Sequence, residues 1–296
     1  MKKHGTTILL VLVFVVGLSL LLYPAFSDWW NSMHQSQAVI SYVEQVANID
    51  QNQYDQIWEE AEAYNQSLVE RNNPFLLSEE QAQSYVRLLD VTGDGIMGYV
   101  EVPSIGVTLP VYHGTDEAVL QVAIGHLEWS SLPVGGESTH CVVSGHRGLP
   151  SARLFTDLNK VAVGDIFMFR VLDEILTYEV DQVLIVEPYE LQHLQIEKGK
   201  DLCTLVTCTP YGINSHRLLV RGERVESGSA PVVDGQLQLS NEIRPVHLMY
   251  VIPVALVLIV SAAGILLWID YKRRNVYHGK RVEKRSGKKQ KGEKDA

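Results

Sequence analysis

The sequence predicts a mainly β domain that is preceded by helices and flanked by two transmembrane helices. Two observations near the ends support this: residues 5–27 and 250–269 are long apolar runs without a charged side chain. A third lies between them, because at Val91 the chain changes from Gln- and Glu-rich helical patterning to short β-rich runs separated by Gly, Pro and Asp. The β-rich part that begins at Val91 has roughly 135 residues, enough for one domain with a sizeable core.

The net charge of −10 is distributed unevenly along the 296 residues. Residues 271–296 carry 11 Lys or Arg and three acidic side chains, whereas residues 4–270 carry 12 basic and 32 acidic ones. Such an acidic middle argues against a nucleic-acid partner, because phosphate contacts need clustered Lys and Arg. The apolar fraction of 46% also excludes a disordered acidic chain.

Both apolar runs are long enough to cross a hydrocarbon core of about 30 Å as helices. We expect a membrane helix at residues 246–270 rather than a buried core helix, because the basic tail at 271–296 follows directly. Residues 1–27 are either a retained signal anchor or a cleaved signal peptide, and the length of the apolar stretch favours retention. The Lys/Arg bias places both termini in the cytoplasm and residues 28–245 outside, in a two-helix protein of the cell membrane.

Residues 28–90 predict two or three amphipathic helices, since apolar residues recur there at helical spacing. Pro74 interrupts the pattern, because proline disfavours helix in the residue before it. Ser78 and Gln81 then form a capping-box signature that restarts a helix.

Residues 91–226 contain seven predicted strands with regular spacing, which favours an all-β barrel or sandwich. The predicted strands are residues 98–102, 107–111, 140–144, 165–171, 175–185, 201–207 and 217–221. The polar residues 227–245 predict a linker to the second membrane helix.

Three cysteines lie in the part predicted to be outside the cell. An odd number there implies either an intermolecular disulfide or a free thiol with a function. Strand alternation places Cys208 with Val206 on one face and Cys203 on the other. Cys208 is predicted to end its strand beside a loop, where a nucleophile is held rigidly and remains reachable. Cys141 and Cys203 lie mid-strand and are predicted to be buried.

A reactive thiol needs an acid–base partner, and His146 is the strongest candidate among ten histidines. It follows a predicted strand and sits in a glycine-flanked loop that lets an imidazole approach closely. His113, His140 and His216 are the other candidates, and a purely structural role is the alternative for each.

A cation near the thiol would stabilise a thiolate or an oxyanion, and Arg217 is the candidate. It lies nine residues after Cys208, so a short loop between neighbouring antiparallel strands would return it to the thiol. A surface ion pair is the alternative reading, and Arg147 and Arg221 are the competing arginines.

Several motifs resemble the sortase family. Residues 204–208, TLVTC, match the TLxTC signature, Arg217 stands where the family arginine follows the cysteine, and residues 144–148, SGHRG, resemble the histidine loop. Residues 110–115 and 154–158 are most similar to class C, the pilus-assembling sortases. The C-terminal apolar helix with its basic tail points to the same class.

The resemblance covers about residues 45–225 and implies an eight-stranded sortase β-barrel with Cys208, His146 and Arg217 at one end of a groove. It implies that the Cys208 thiolate attacks the Thr–Gly carbonyl of an LPXTG-like sorting signal in a pilin precursor. His146 would transfer protons and Arg217 would hold the oxyanion. A lysine amine of another pilin would resolve the thioacyl enzyme. No cofactor or metal is expected, and the partners are pilin precursors and the membrane.

Class C sortases carry a lid with an Asp-Pro-aromatic motif, and the corresponding residues here are Asn73, Pro74 and Phe75. The resemblance implies that Phe75 caps the thiol. Asn73 stands where the family has Asp, so its amide oxygen can accept a hydrogen bond from Arg217 but cannot form the ion pair, and we expect a weaker latch. An ordinary helix–helix turn is the alternative.

Asp90 and the residues up to Gly95, with Glu101 at the twelfth position, imitate a calcium-binding EF-hand loop. Thr92 replaces a usual ligand, and a strand rather than a helix follows. We therefore interpret this segment as a turn into the β domain.

Two other functions compete with pilin polymerisation. One is a housekeeping sortase that attaches proteins to the cell wall, which the lid-like segment and second membrane helix disfavour. The other is a catalytically silent, membrane-anchored peptide-binding module, which Cys208, His146 and Arg217 argue against. A cysteine hydrolase of another fold would need a His/Asn constellation that the sequence does not offer.

Overall fold

The computed structural model describes residues 5–69, 71, 73–225 and 264. The chain divides into two units, and residues 19–242 form the one that contains the β domain. The predicted linker at 227–245, the membrane helix at 246–270 (apart from Gly264) and the tail at 271–296 lie outside the described residues. These three elements remain predictions.

The N-terminal apolar run is helical, as the sequence predicts, but its helix is longer than the run itself. Helix α1 spans Gly5–Val46, so it continues well past residue 27 into the amphipathic region. Among the described residues, the segment Leu9–Val46 is the one helix whose length and apolar composition would allow it to cross a membrane.

The C-terminal part of α1 is fixed to the β domain by Tyr42. This ring is fully buried in a cluster with Ile96 and Tyr99. Its hydroxyl donates to the Met97 carbonyl at 3.3 Å and accepts from the Leu172 amide at 2.7 Å. A buried hydroxyl that is satisfied on both sides anchors the helix without an unpaired polar group.

Among described residues 51–225, three further α-helices are present: α2 at Gln51–Val69, α3 at Glu79–Tyr85 and α4 at Glu117–Leu120. The predicted capping box at the start of α3 is confirmed, because the Ser78 side chain accepts from the Gln81 amide and the Gln81 side chain accepts from the Ser78 amide. Helix α2 is held by Asn65, whose amide bonds both the nitrogen and the carbonyl oxygen of Leu132 at 2.7 and 3.0 Å.

The β domain is a closed eight-stranded barrel, which decides between the barrel and the sandwich that the strand pattern left open. The strands are β1 Ile96–Val102, β2 Val107–His113, β3 Ile124–His126, β4 Thr139–Ser144, β5 Ile166–Val171, β6 Glu174–Val186, β7 Asp201–Thr209 and β8 His216–Arg224. Around the barrel their order is β1-β2-β3-β4-β7-β8-β6-β5. The pairs β2–β3 and β4–β7 are parallel, and the other pairs are antiparallel.

Strand β7 presents its two faces to two different apolar clusters, because successive side chains in a strand point in opposite directions. Cys203 and Leu205 point into the main core inside the barrel. Val206 belongs to a smaller cluster on the outer face, together with Val142 and Leu219. Cys208 lies two residues after Val206, so its side chain points to the same side of the strand and its thiol lies on the outer face of the barrel.

Candidate active site

Cys208 lies near the end of β7 and is half-exposed, with a free thiol. The strand continues one residue further than the sequence predicts, because Thr209 still pairs with His216 of β8. Pro210, which has no backbone N–H, then ends the ladder. The predicted burial of the other two thiols is confirmed, since Cys141 and Cys203 are both buried.

Arg217 is the direct register partner of Cys208 across the antiparallel pair β7–β8. Side chains of directly opposed residues lie on the same face of a sheet, so the guanidinium and the thiol share the outer face. The Arg217 Nη1 donates to the carbonyl oxygens of Asn214 at 3.2 Å and His216 at 3.1 Å. The predicted return of this arginine through a short loop is therefore confirmed.

The competing arginines are engaged elsewhere. Arg221 donates to Asp181 and Glu197, each at 2.6 Å, and these carboxylates raise the pKa of its guanidinium. Arg147 donates from Nη1 to the Thr209 hydroxyl at 3.1 Å, which ties its loop to the residue after Cys208. Arg217 is thus the arginine whose position in the sheet is set opposite the thiol.

His146 reaches the same end of the barrel through the parallel pair β4–β7. Ser144 is the register partner of Val206, and the Gly145 amide donates to the Val206 carbonyl at 3.0 Å. The Thr207 hydroxyl donates back to the Gly145 carbonyl at 2.7 Å. His146 follows two residues after Ser144, and Cys208 follows two residues after Val206, so both residues lie at the same end of the barrel.

Glycine is needed on both sides of His146. A Cβ at Gly145 would lie 2.7 Å from Ile124 Cγ2 and 2.8 Å from Phe155 Cδ2, closer than packed carbon atoms approach. Gly148 has φ +77, and a Cβ there would lie 2.6 Å from a ring carbon of Tyr211. The histidine loop therefore packs tightly against the barrel below it and against the β7–β8 loop beside it.

The other candidate histidines serve the framework. Both ring nitrogens of His113 lie within hydrogen-bond distance of backbone carbonyls, those of Gly95 and Leu88, at 2.9 and 2.7 Å. His140 is buried between the Gln195 carbonyl and the Thr204 hydroxyl, and this burial lowers its pKa to about 4.

The remaining candidate, His216, pairs with Glu187 at 3.3 Å. The ring of His146, by contrast, has no hydrogen bond to any residue in the described part of the chain.

The lid-like segment lies over the outer face of the barrel. The Phe75 ring packs edge-on against Trp129, with ring centroids 5.1 Å apart and an interplanar angle of 86°. Trp129 in turn packs against the outer-face cluster that contains Val206. Phe75 thus docks on a tryptophan of the face that carries Cys208, which the sequence did not identify as its partner.

Asn73 shapes this segment locally. Its side-chain oxygen accepts from the Phe75 amide at 3.1 Å, which closes an Asx turn around Pro74. The Arg217 guanidinium donates to the carbonyls of Asn214 and His216, and no Asn73–Arg217 hydrogen bond is present among the described residues.

Arg71 is a residue of this region that the sequence patterns did not identify. Its Nη2 donates to the Trp129 carbonyl at 2.6 Å, its Nη1 to the Leu76 carbonyl at 3.3 Å, and its Nε to the Leu68 carbonyl at 3.4 Å. One guanidinium therefore joins the end of α2, the lid-like segment and the barrel. The available signal was a basic residue just after a helix C-terminus, where cations bond the last carbonyls.

The EF-hand-like segment is organised as a turn. The Asp90 carboxylate accepts from the amides of Gly93 and Gly95 at 2.9 and 3.0 Å. The side chain that would be the first ligand in an EF-hand thus caps the entry into β1, in agreement with the interpretation from the sequence.

The fold and this site together define a class of protein: a barrel enzyme with a strand-end cysteine, an imidazole from the loop that follows the neighbouring parallel strand, and a guanidinium from the antiparallel strand opposite the cysteine. Such a set can carry out nucleophilic acyl transfer, because it supplies a thiol, a proton carrier and a fixed positive charge.

Comparisons with known proteins agree. A family model described as the Sortase domain matches residues 100–225. The crystal structure of sortase C1 from Streptococcus agalactiae is 50% identical, with a TM-score of 0.63 over 64% of this chain and 98% of that one. Sortase C of Streptococcus pneumoniae is 44% identical, with a TM-score of 0.59 over 66% of this chain and 100% of that one. Sortase D of Bacillus subtilis is 28% identical over 50% of this chain and 73% of that protein.

The chain belongs to the sortase family, and within it to class C. It is accordingly a cysteine transpeptidase.

Proposed function

We propose that this protein is a membrane-anchored transpeptidase that cleaves an LPXTG-like sorting signal of pilin precursors and joins the product to a lysine of another pilin. The class supports this proposal, and the structure of the similar Streptococcus pneumoniae enzyme was described in terms of pilin substrate specificity. Helix α1, which begins with the apolar run of residues 5–27, would hold the enzyme at the membrane.

In the proposed first step the Cys208 sulfur attacks the carbonyl carbon of the threonine in the sorting signal. A C–S bond forms, the peptide C–N bond breaks, and the glycine amine leaves with a proton from His146. In the second step a lysine amine attacks the thioester, His146 takes a proton from that amine, and Cys208 is released. The net reaction exchanges one amide bond for another.

Arg217 is proposed to hold the developing oxyanion. Its guanidinium is always charged, and a preorganised donor of this kind is effective because it does not need to reorganise during the reaction. The two carbonyls that Arg217 bonds in its own loop orient the group without neutralising it. The guanidinium thus keeps donors for a substrate oxygen.

The segment of Asn73, Pro74 and Phe75 is proposed to act as a lid over this face. Two contacts support this, because they connect the segment to the β domain. The Phe75 ring packs edge-on against Trp129, and the Arg71 guanidinium donates to the carbonyls of both Leu76 and Trp129. A substrate approaching Cys208 along the outer face would have to displace this contact.

The single observation that carries the proposal is the register of β7 with β8, which sets Arg217 opposite Cys208, and the β4–β7 pairing supports it because the His146 loop follows β4 at the same end of the barrel. The test incubates the full chain in detergent with a pilin precursor that bears a C-terminal sorting signal. We expect covalent ladders from the wild type and none from Cys208→Ala. Cys141→Ala, which removes a thiol from the inner face, serves as the control and should still form ladders.

Ladders that persist with Cys208→Ala would contradict the proposal. Monomeric pilin attached to a cell-wall peptide amine, without pilin–pilin bonds, would instead indicate the housekeeping alternative.

A further inference from the structure

The barrel contains a second cysteine feature, separate from the proposed nucleophile. Cys141 of β4 and Cys203 of β7 are direct register partners in the parallel pair. Both side chains point into the main core, with exposed fractions of 2% and 0%. Two thiols that are distant in sequence thus meet inside the barrel.

We propose that Cys141 and Cys203 form a redox site whose oxidised state is a disulfide across β4 and β7. The inference goes beyond transpeptidation and does not depend on it, because Cys208 lies on the opposite face and is not part of the pair. The odd number of cysteines then resolves into one pair and one free thiol, which is the pattern expected of an enzyme in an oxidising compartment.

The strand geometry permits this bond. Neighbouring strands lie about 4.8 Å apart, within the range of about 4.4–6.8 Å that Cα atoms span in disulfides. The side chains of parallel register partners point the same way, so their Cβ atoms start slightly beyond the range of about 3.5–4.5 Å found in disulfides. Closure therefore requires a small approach of the two strands, and such a bond is more easily reduced than a relaxed one.

The position of the pair gives the bond a consequence for the site. Cys141 lies five residues before His146, and Cys203 lies five residues before Cys208. A bond between them would fix the parallel register of β4 and β7, the two strands that lead to His146 and to Cys208. The oxidised state would hold the two strands of the site together, and the reduced state would leave this to packing and backbone hydrogen bonds.

Oxidation of the two thiols requires an external disulfide as the oxidant, which is either that of an oxidoreductase or a small-molecule disulfide. One cysteine thiolate attacks the oxidant, whose S–S bond breaks, and the second cysteine displaces the oxidant from the mixed disulfide. One S–S bond forms in the protein, and the two protons pass to the two thiols of the reduced oxidant. Burial raises the pKa of the Cys141 thiol well above its usual range, so the exchange takes place during folding or local opening, when thiolate can form.

The test uses the full chain in detergent as Cys208→Ala, so that only the pair is counted. The protein is refolded in buffers with graded ratios of reduced to oxidised glutathione and quenched with acid. It is then labelled with a maleimide in denaturant, and its intact mass is measured by mass spectrometry. We expect two maleimide adducts from the reducing buffer. From the oxidising buffer we expect none, together with a mass lower by two hydrogens and no bound glutathione.

The double variant Cys141→Ala with Cys208→Ala is the matched control, because it retains one thiol and should yield one maleimide or one glutathione adduct. Two adducts from the pair in the most oxidising buffer, in protein with a native near-ultraviolet spectrum, would overturn the proposal. Disulfide-linked dimers in place of the internal bond would also overturn it.

A second measurement needs no refolding. Cys208→Ala protein is taken directly from membranes into the alkylating quench, without reductant. We expect no adducts on Cys141 and Cys203 before reduction and two after it, whereas two adducts before reduction would overturn the proposal. Because Cys208→Ala lacks the proposed nucleophile, neither result depends on whether transpeptidation occurs.

Discussion

Arg217 stands directly opposite Cys208 in the antiparallel ladder between β7 and β8, and its guanidinium is oriented by two carbonyls of the loop that joins these strands. The backbone therefore fixes the spacing of cation and thiol before any substrate binds. If Arg217 stabilises the oxyanion as proposed, its charge is preorganised by strand register rather than by an ion pair.

Replacement of Arg217 tests its proposed role. We expect Arg217→Ala to lower kcat/KM for a sorting-signal peptide about 100-fold, the effect typical of losing one oxyanion donor. The kcat/KM of Arg217→Lys should lie between those of the wild type and Arg217→Ala, because lysine keeps the positive charge but lacks the planar guanidinium group. Arg170→Ala is the control, because it breaks a half-exposed ion pair with Glu101 on strands β1 and β5, away from the site. Its kcat/KM should stay within about twofold of the wild-type value. An Arg217→Ala enzyme with wild-type kcat/KM would exclude this role.

The lid is tested by the reactivity of Cys208 towards a small alkylating agent. We expect Phe75→Ala to raise the alkylation rate about fivefold, because an aromatic pair contributes about 1 kcal/mol. Leu76→Ala is the matched control from the same segment, since this side chain is 67% exposed and should not hold the lid. Equal alkylation rates in Phe75→Ala and wild type would show that the Trp129 contact does not shield the thiol.

Gly145 is predicted to be intolerant of a side chain. In Gly145→Ala the new methyl would meet Ile124 and Phe155, which are both fully buried. We expect a loss of about 1–3 kcal/mol in the free energy of unfolding, as for other overpacked cores, measured by urea denaturation. Phe155→Leu added to Gly145→Ala should restore part of that stability. Unchanged stability in the single variant would mean that the His146 loop is looser than the structure indicates.

His140 is predicted to make the barrel sensitive to acid. Its pKa is about 4 in the folded protein and about 6.5 in the unfolded chain, because burial disfavours the charged ring. Above pH 6.5 both states are neutral and stability is complete. Between pH 6.5 and 4 the unfolded chain binds a proton that the folded protein does not, so stability falls by up to about 1.4 kcal/mol per pH unit.

Urea denaturation at several pH values measures this dependence. His140→Gln should reduce the slope of stability against pH below pH 6.5. The slope will not vanish in His140→Gln, because His126 is also buried and its pKa is lowered to about 3. Identical slopes in wild type and His140→Gln would contradict the prediction.

The sequence predicts the local parts of this structure well. Alternation in β7 places Cys203 inside and Cys208 outside, and the short loop after Pro210 predicts the return of Arg217. Both inferences concern residues that are close together in the chain. Strand periodicity predicts the first and the short loop predicts the second. The capping box of Ser78 and Gln81 is local in the same sense.

What the sequence does not predict depends on contacts between distant segments. Strand β3, Ile124–His126, has only three residues and leaves no periodic pattern. The parallel pairing of β4 with β7, which brings Cys141 to Cys203, joins strands about 60 residues apart, and no local signal specifies such a register. The docking of Phe75 on Trp129 is likewise a tertiary contact.

The central claim is that Cys208 carries the acyl group, and trapping the intermediate tests it most directly. The full chain is mixed with an LPXTG peptide without an amine acceptor, quenched in acid and analysed by intact mass and peptide mapping. We predict an acyl adduct on the peptide that contains Cys208, released by hydroxylamine and absent from Cys208→Ala. An adduct on another residue, or cleavage of the peptide at an unchanged rate by Cys208→Ala, would contradict the claim.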